Sequence, residues 1–135
     1  MILVDSNVAM DVLDRNSEHH DWSQAQLASW WDQGLFFNHV IVAELSGRAV
    51  SEIELVKMLD VLAIKVEPLD LRIAFRAGVA FQSWIQNGGR RGAMLPDLLI
   101  GAHAAVRQAK VLTRDPRRFR KYFPELELIT PDAIA

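Results

Sequence analysis

The sequence predicts an α/β fold: a single domain over residues 1–135 with a central, mostly parallel β-sheet flanked by helices. Two observations lead there. Short apolar runs of β type alternate along the chain with stretches of helical length and periodicity, and strands separated by helices form βαβ units. The chain has 135 residues, 50% of them hydrophobic, enough for one ordinary domain with its own core.

The elements follow in order. Ile2-Leu3-Val4 is an apolar run ending in Asp5, which suits a buried strand. A short helix is expected from about Asn7 to Leu13, and a second from Asp21 to Gln33, closed by Gly34 as C-cap. Adjacent Trp30 and Trp31 cannot point the same way, so one of them should be partly exposed. Leu35-Phe36-Phe37 reads as a strand, Val40–Val50 and Glu52–Leu62 as helices, and Ile64–Val66 as a brief strand before Pro68. A long helix spans Leu71–Gln86 and stops at Asn87-Gly88-Gly89. Asp97–Ala109 is a helix entered through Pro96, Lys110–Leu112 a strand, and Leu126–Ile129 another.

Composition excludes some chemistry. There is no cysteine, so disulfides and thiolate metal sites are ruled out and a reducing, cytoplasmic setting is expected. The N-terminus lacks the pattern of a signal peptide, and no apolar run is long enough to span a bilayer. The net charge of −2 is unevenly spread. Residues 1–86 carry six Lys/Arg and twelve Asp/Glu, whereas residues 87–135 carry nine and five. A basic C-terminal part can contact phosphate, although a solvated face near the chain end is the plainer reading.

Four acids are the candidates for chemistry. In a parallel sheet, reactive groups gather beyond the carboxyl ends of the strands. Asp5 follows the first strand, and Thr113 and Asp115 follow the strand at Lys110–Leu112. Asp97 opens its helix. Each of these aspartates also suits a helix start, and singly each is more simply a cap. Glu44 is harder to dismiss. It stands in Val40-Ile41-Val42-Ala43-Glu44-Leu45, beside the core-facing stripe of its helix, where a carboxylate needs neutralising. Arg48, at i+4, would do so as an ordinary surface pair; a metal ion is the alternative. Four carboxylates in one cleft would require a cation, and oxygen-only ligands select Mg²⁺ or Mn²⁺ over zinc.

These residues carry a resemblance. Leu3-Val4-Asp5-Ser6-Asn7, Val42-Ala43-Glu44-Leu45, Pro96-Asp97-Leu98-Leu99-Ile100-Gly101-Ala102-His103-Ala104 and Leu112-Thr113-Arg114-Asp115 with Phe119 resemble, in order and spacing, the four acidic motifs of PIN domains. The compact size resembles the VapC toxins of bacterial toxin–antitoxin pairs. Family members often place Ser or Thr a few residues before the glutamate, where this chain has Asn38-His39. The resemblance implies a Mg²⁺- or Mn²⁺-dependent endoribonuclease cutting single-stranded RNA, a homodimer, and a small VapB-type antitoxin. Carried over by position, Asp5, Glu44 and Asp97 are the core metal ligands and Asp115 completes the cluster. Ser6 and Thr113 are expected as supporting hydroxyls, and Asn7 as a substrate or water contact.

Arg90 and Arg91, in the Gly-rich loop before Asp97, and Arg114, Arg117 and Arg118, around Asp115, are candidate RNA contacts. Such a pocket would also accept a guanidinium in place of the metal, so an antitoxin is expected to insert a basic side chain near Asp5, Glu44 and Asp97. A receiver-type phosphotransfer domain does not fit, because Asp5 has no acidic neighbour. Nor does a dehalogenase-type phosphatase, which needs Asp-x-Asp where this chain has Asn7. The remaining alternative is an inert PIN-like RNA-binding or regulatory module whose acids only cap helices.

Overall fold

The computed structural model describes residues 1–90 and 94–131. Among them lie the five strands and six helices that the sequence predicts, with one further short helix, α7, between β4 and β5: β1 (Ile2–Val4), α1 (Ser6–Leu13), α2 (His20–Trp30), β2 (Leu35–Asn38), α3 (His39–Leu45), α4 (Glu52–Leu62), β3 (Lys65–Glu67), α5 (Leu71–Gln86), α6 (Leu95–Arg107), β4 (Lys110–Leu112), α7 (Arg117–Arg120) and β5 (Leu128–Ile129). The sheet order is β3-β2-β1-β4-β5, and every pairing is parallel.

The unbroken apolar run of β1 is explained by its central place. Ile2 pairs with both Leu35 and Lys110, helices cover both faces, and all three β1 residues are fully buried. Parallel pairing brings the carboxyl ends of β1 to β4 to one edge. Asp5 and Thr113 lie just beyond β1 and β4, and Asn38 and Glu67 are the last residues of β2 and β3.

Helix ends account for the differences from the predicted bounds. The helix predicted over Val40–Val50 stops at Leu45 and continues as a 3₁₀ turn over Ser46–Arg48; the Ser46 hydroxyl donates to the Val42 carbonyl at 2.9 Å. The stretch predicted to Gln33 likewise ends as α-helix at Trp30 and tightens into a 3₁₀ turn before Gly34, whose φ of +83° is the left-handed conformation that favours glycine. Helix α6 starts at Leu95, ahead of Pro96, and ends with Gln108 at φ +53°, two residues short of the predicted end. Strand β5 has only Leu128 and Ile129. Trp31 is the exposed member of the tryptophan pair, and Trp30 packs against the core.

A second small core seats the C-terminal part. Ile73, Ala77 and Ala80 of α5 meet Leu98 and Ala102 of α6 and the Phe123 ring. Gly101 permits this, since a Cβ there would lie 2.4 Å from the Phe123 ring. That close approach holds the segment carrying α7 against the start of α6, which bears Asp97. No helix among the described residues is long and apolar enough to cross a membrane.

Candidate active site

Three of the four predicted acids converge. Asp5, from the end of β1, is the N-cap of α1 and its Oδ1 accepts from the Ser6 amide at 2.8 Å. Capping and clustering are therefore compatible: the same carboxylate also faces the cleft, where Arg118 Nη1 donates to both its oxygens at 2.8 Å. Glu44 is carried in on α3. Asn38, standing where the PIN pattern often has Ser or Thr, caps that helix by accepting from the Ile41 amide at 2.9 Å. Asp97, in the first turn of α6, accepts from Arg118 Nε at 2.8 Å and from Nη2. Arg118 Nη2 also reaches Glu44 Oε2 at 3.5 Å. One guanidinium thus lies among three carboxylates from three elements.

The predicted supporting residues touch these acids. Thr113 Oγ1, fully buried, donates to Asp5 Oδ2 at 2.7 Å, and Ser6 Oγ donates to Glu44 Oε1 at 3.1 Å. Asn7 Nδ2 donates to Asp5 Oδ2 at 3.3 Å, while its Oδ1 accepts from the Arg114 amide at 3.2 Å. Asp115 stands apart from the guanidinium cluster. Its amide donates to Thr113 Oγ1 at 2.9 Å and Arg117 Nε lies 3.7 Å from its Oδ1, an atom shielded from solvent without a hydrogen-bond partner among the described residues. It does not cap α7, whose N-cap is Pro116.

The arginines divide. Arg118 belongs to the acidic cluster rather than to an open phosphate surface. Arg114 is held away from it: its Nε and Nη2 donate to Asp11 at 2.6 and 3.0 Å, and the Ser17 and Ser23 hydroxyls complete that buried carboxylate. Arg117 is exposed. The carbonyl of Arg90 accepts from Trp84 Nε1 at 2.9 Å. Arg91 lies outside the described residues. Arg48 makes no bond to Glu44 among the described residues; Ser6 and Arg118 are its partners instead.

Electrostatics follow from this crowding. Burial pushes the Glu44 carboxyl above its ordinary range; Arg118 and Ser6 counter this only in part, and Asp5 and Asp97 add to it. Burial alone would weaken proton binding by the Arg118 guanidinium, but Asp5, Asp97 and Glu44 outweigh it and raise its pKa. The donor set suits a hard divalent cation, being carboxylate oxygen throughout. In this side-chain arrangement the cation at its centre is Arg118, and no three Asp, Glu or His side chains among the described residues close on a common point as a metal alone would need.

A second polar cluster went unread in the sequence. Asn38 Nδ2 donates to His103 Nδ1 at 3.2 Å, and His103 Nε2 lies 3.0 Å from Glu67 Oε1, which also accepts from Arg107 Nε at 3.1 Å. Asn38 Oδ1 is already used on the Ile41 amide, so its amino group must face the imidazole. His103 is therefore protonated on Nε2 alone. Burial holds its pKa below the ordinary histidine value, and Glu67 offsets this only in part.

Residues 2–123 match the PIN domain family, and the chain belongs to it. No curated protein sequence matches. Among solved structures it is similar to VapBC2 from Rickettsia felis bound to a DNA fragment from the promoter, with 20% identity, TM-score 0.71, and 96% of this chain and 98% of that one covered. FitAcB from Neisseria gonorrhoeae is similar at 21% identity and TM-score 0.72, covering 97% and 98%. A toxin–antitoxin complex from Klebsiella pneumoniae is similar at 18% and 0.71, covering 97% and 98%.

Proposed function

We propose that this PIN domain is a Mg²⁺- or Mn²⁺-dependent endoribonuclease that cuts single-stranded RNA in the cytoplasm, as the toxin of a bacterial toxin–antitoxin pair. The observation that carries the reading is the gathering of Asp5, Glu44 and Asp97 around one guanidinium, that of Arg118, at the carboxyl edge of the sheet. Those three residues would hold the ion, and Asp115, which stands apart from them, would act only through the Thr113 hydroxyl that its amide and Asp5 share. A bound divalent ion supplies an activated water at neutral pH and neutralises charge developing on the phosphoryl group. The chain's own residues do the rest. Thr113, Asn7 and the Ser6 amide fix the Asp5 carboxylate by hydrogen bonds, and the Ser6 hydroxyl orients Glu44. Arg117, Arg90 and Arg91 supply positive charge for an RNA backbone, within the basic C-terminal part of the chain.

The protein partners are an inhibitory VapB-type antitoxin and a second copy of the chain. Supporting them are exposed apolar side chains on α4 (Ile53, Val56, Val61) and on α5 (Leu71, Phe75, Val79). The similar Klebsiella pneumoniae structure is itself a toxin–antitoxin complex.

The test is cleavage of an end-labelled single-stranded RNA by purified protein with Mg²⁺ or Mn²⁺. Cleavage should stop on chelation. Removing a neighbour of a metal ligand costs roughly 10–100-fold in affinity or activity, so Asp5→Asn and Asp97→Asn, which remove ligand charge itself, should each cost about 100-fold or more. Circular dichroism should show both variants folded. Undiminished cleavage by either would remove that residue from the mechanism.

A further inference from the structure

We infer that Arg118 is a built-in competitor for the divalent ion: its guanidinium holds the acidic cluster closed, and metal binds only as that side chain swings out. The inference rests on the metal-dependent reading above and adds a step that precedes it.

The geometry is that of a fitted cation, not a passing surface contact. Arg118 uses every nitrogen of its planar fork. Nε and Nη2 donate to Asp97, Nη1 donates to both oxygens of Asp5 at 2.8 Å, and Nη2 reaches Glu44. Both Asp5 oxygens and Asp97 Oδ1, which a metal would need, are thus turned onto the guanidinium. The guanidinium fills the space between the Asp5 and Asp97 carboxylates in which an ion bound to both would sit, so the ion and the arginine are alternatives.

The charge count makes the exchange favourable for a dication. Three carboxylates face one positive charge, and the excess negative charge persists while Arg118 is in place. The exit is also built in. Arg118 sits on α7, a helix of only four residues, and Arg117 and Arg120 beside it are exposed. The guanidinium side chain is 15% exposed, whereas the Asp5 side chain is not exposed at all. The arginine lies on the solvent side of the carboxylate it covers.

The apparent affinity of a ligand falls by the fraction of molecules competent to bind it. If Arg118 fills the cluster in at least nine molecules of ten, its removal should tighten Mn²⁺ binding by about tenfold or more. Calorimetric titration of Mn²⁺ into the full chain and into Arg118→Gln reads this directly. Arg120→Gln removes one positive charge from the same helix without touching the cluster and controls for general electrostatics. The expected order is a tightening of about tenfold or more for Arg118→Gln and little change for Arg120→Gln.

A measurement on the unmutated protein covers the case in which Arg118→Gln does not fold. The Arg118 Nε–H proton, bonded to Asp97, should be slow to exchange by NMR without metal and should lose that protection as Mg²⁺ is titrated. Equal Mn²⁺ affinities for the unmutated chain and Arg118→Gln, or an Nε–H unaffected by saturating Mg²⁺, would overturn the inference alone. Absence of Mn²⁺ binding in both proteins would overturn the metal-dependent reading and this inference with it.

Discussion

Two polar clusters lie along the same carboxyl edge of the sheet, and they differ in charge balance and in access. The cluster of Asp5, Glu44, Asp97 and Arg118 sets three carboxylates against one guanidinium, with Glu44 and Asp97 side chains 32% and 22% exposed. The cluster of Asn38, His103, Glu67 and Arg107 sets one carboxylate among a neutral imidazole, a guanidinium and the Lys65 ammonium at 3.7 Å; its Glu67 and His103 side chains are 6% and 0% exposed. Position at the carboxyl ends of the strands is common to both, so position alone does not mark a site. Surplus negative charge reachable from solvent distinguishes the first, and it is what the proposed function requires of a place for an incoming cation. Full pairing of its one carboxylate and the burial of Glu67 and His103 mark the second as structure, since a buried polar group is tolerated when its partners are all supplied within the fold.

The largest test of that contrast is removal of the second cluster's centre. His103→Ala leaves a cavity and strands the Asn38 amide and part of Glu67, so it should cost about 2–4 kcal/mol in denaturant unfolding. Mn²⁺ titration of the folded variant should still show a site. Loss of that site together with stability would merge the two clusters into one functional unit.

A smaller effect is expected at Gly101. A methyl group there meets the Phe123 ring, and overpacking of this kind costs about 1–3 kcal/mol. Because Phe123 helps to seat the segment carrying α7, Gly101→Ala should also disturb Arg118, seen as a change in its Nε–H resonance. An unperturbed resonance would mean that α7 is held independently of this contact.

The smallest effect is in pH. His103 is held neutral with its pKa depressed below 6.5 by burial. The unfolded chain therefore takes up this proton before the folded one does, and the stability concerned is present above pH 6.5 and lost as pH falls below it toward the folded pKa. Glu44, raised by burial, has the opposite sign: ionising it costs stability as pH rises. Melting temperature should fall between pH 7 and 5.5, with a shallower slope in His103→Gln. An identical slope in the variant would assign the dependence to other groups.

Much of this arrangement was legible in the sequence. Helical and β periods placed β1, β2, α4, α5 and β4 closely, because each is a strongly patterned run between clear punctuation. The order of the acidic motifs pointed to Asp5, Glu44 and Asp97, and Glu44 stood out as a carboxylate beside a core-facing stripe. The sequence did not show how far a side chain reaches. Arg118 read as one of several basic residues near Asp115, and nothing local says that it crosses to three acids 113, 74 and 21 positions away. Arg114 read as equally available, yet Asp11, an unremarked acid of α1, is buried and claims it. The expected basic intruder near Asp5, Glu44 and Asp97 has a counterpart within the chain itself. His103 stood in the sequence only as one residue of the third acidic motif; its bonds to Asn38 and Glu67 depend on a register between β2 and β3 that no motif announces.

The central claim is that the cluster with surplus carboxylates performs the chemistry and the one whose single carboxylate is fully paired does not. The most direct measurement compares Mn²⁺-dependent cleavage of one single-stranded RNA by Asp97→Asn and Glu67→Gln, each shown folded at the assay temperature. Both replace a carboxylate by its amide at the same edge of the sheet. The account predicts cleavage lost in Asp97→Asn and retained in Glu67→Gln. Retained cleavage in Asp97→Asn, or equal loss in both, would contradict it.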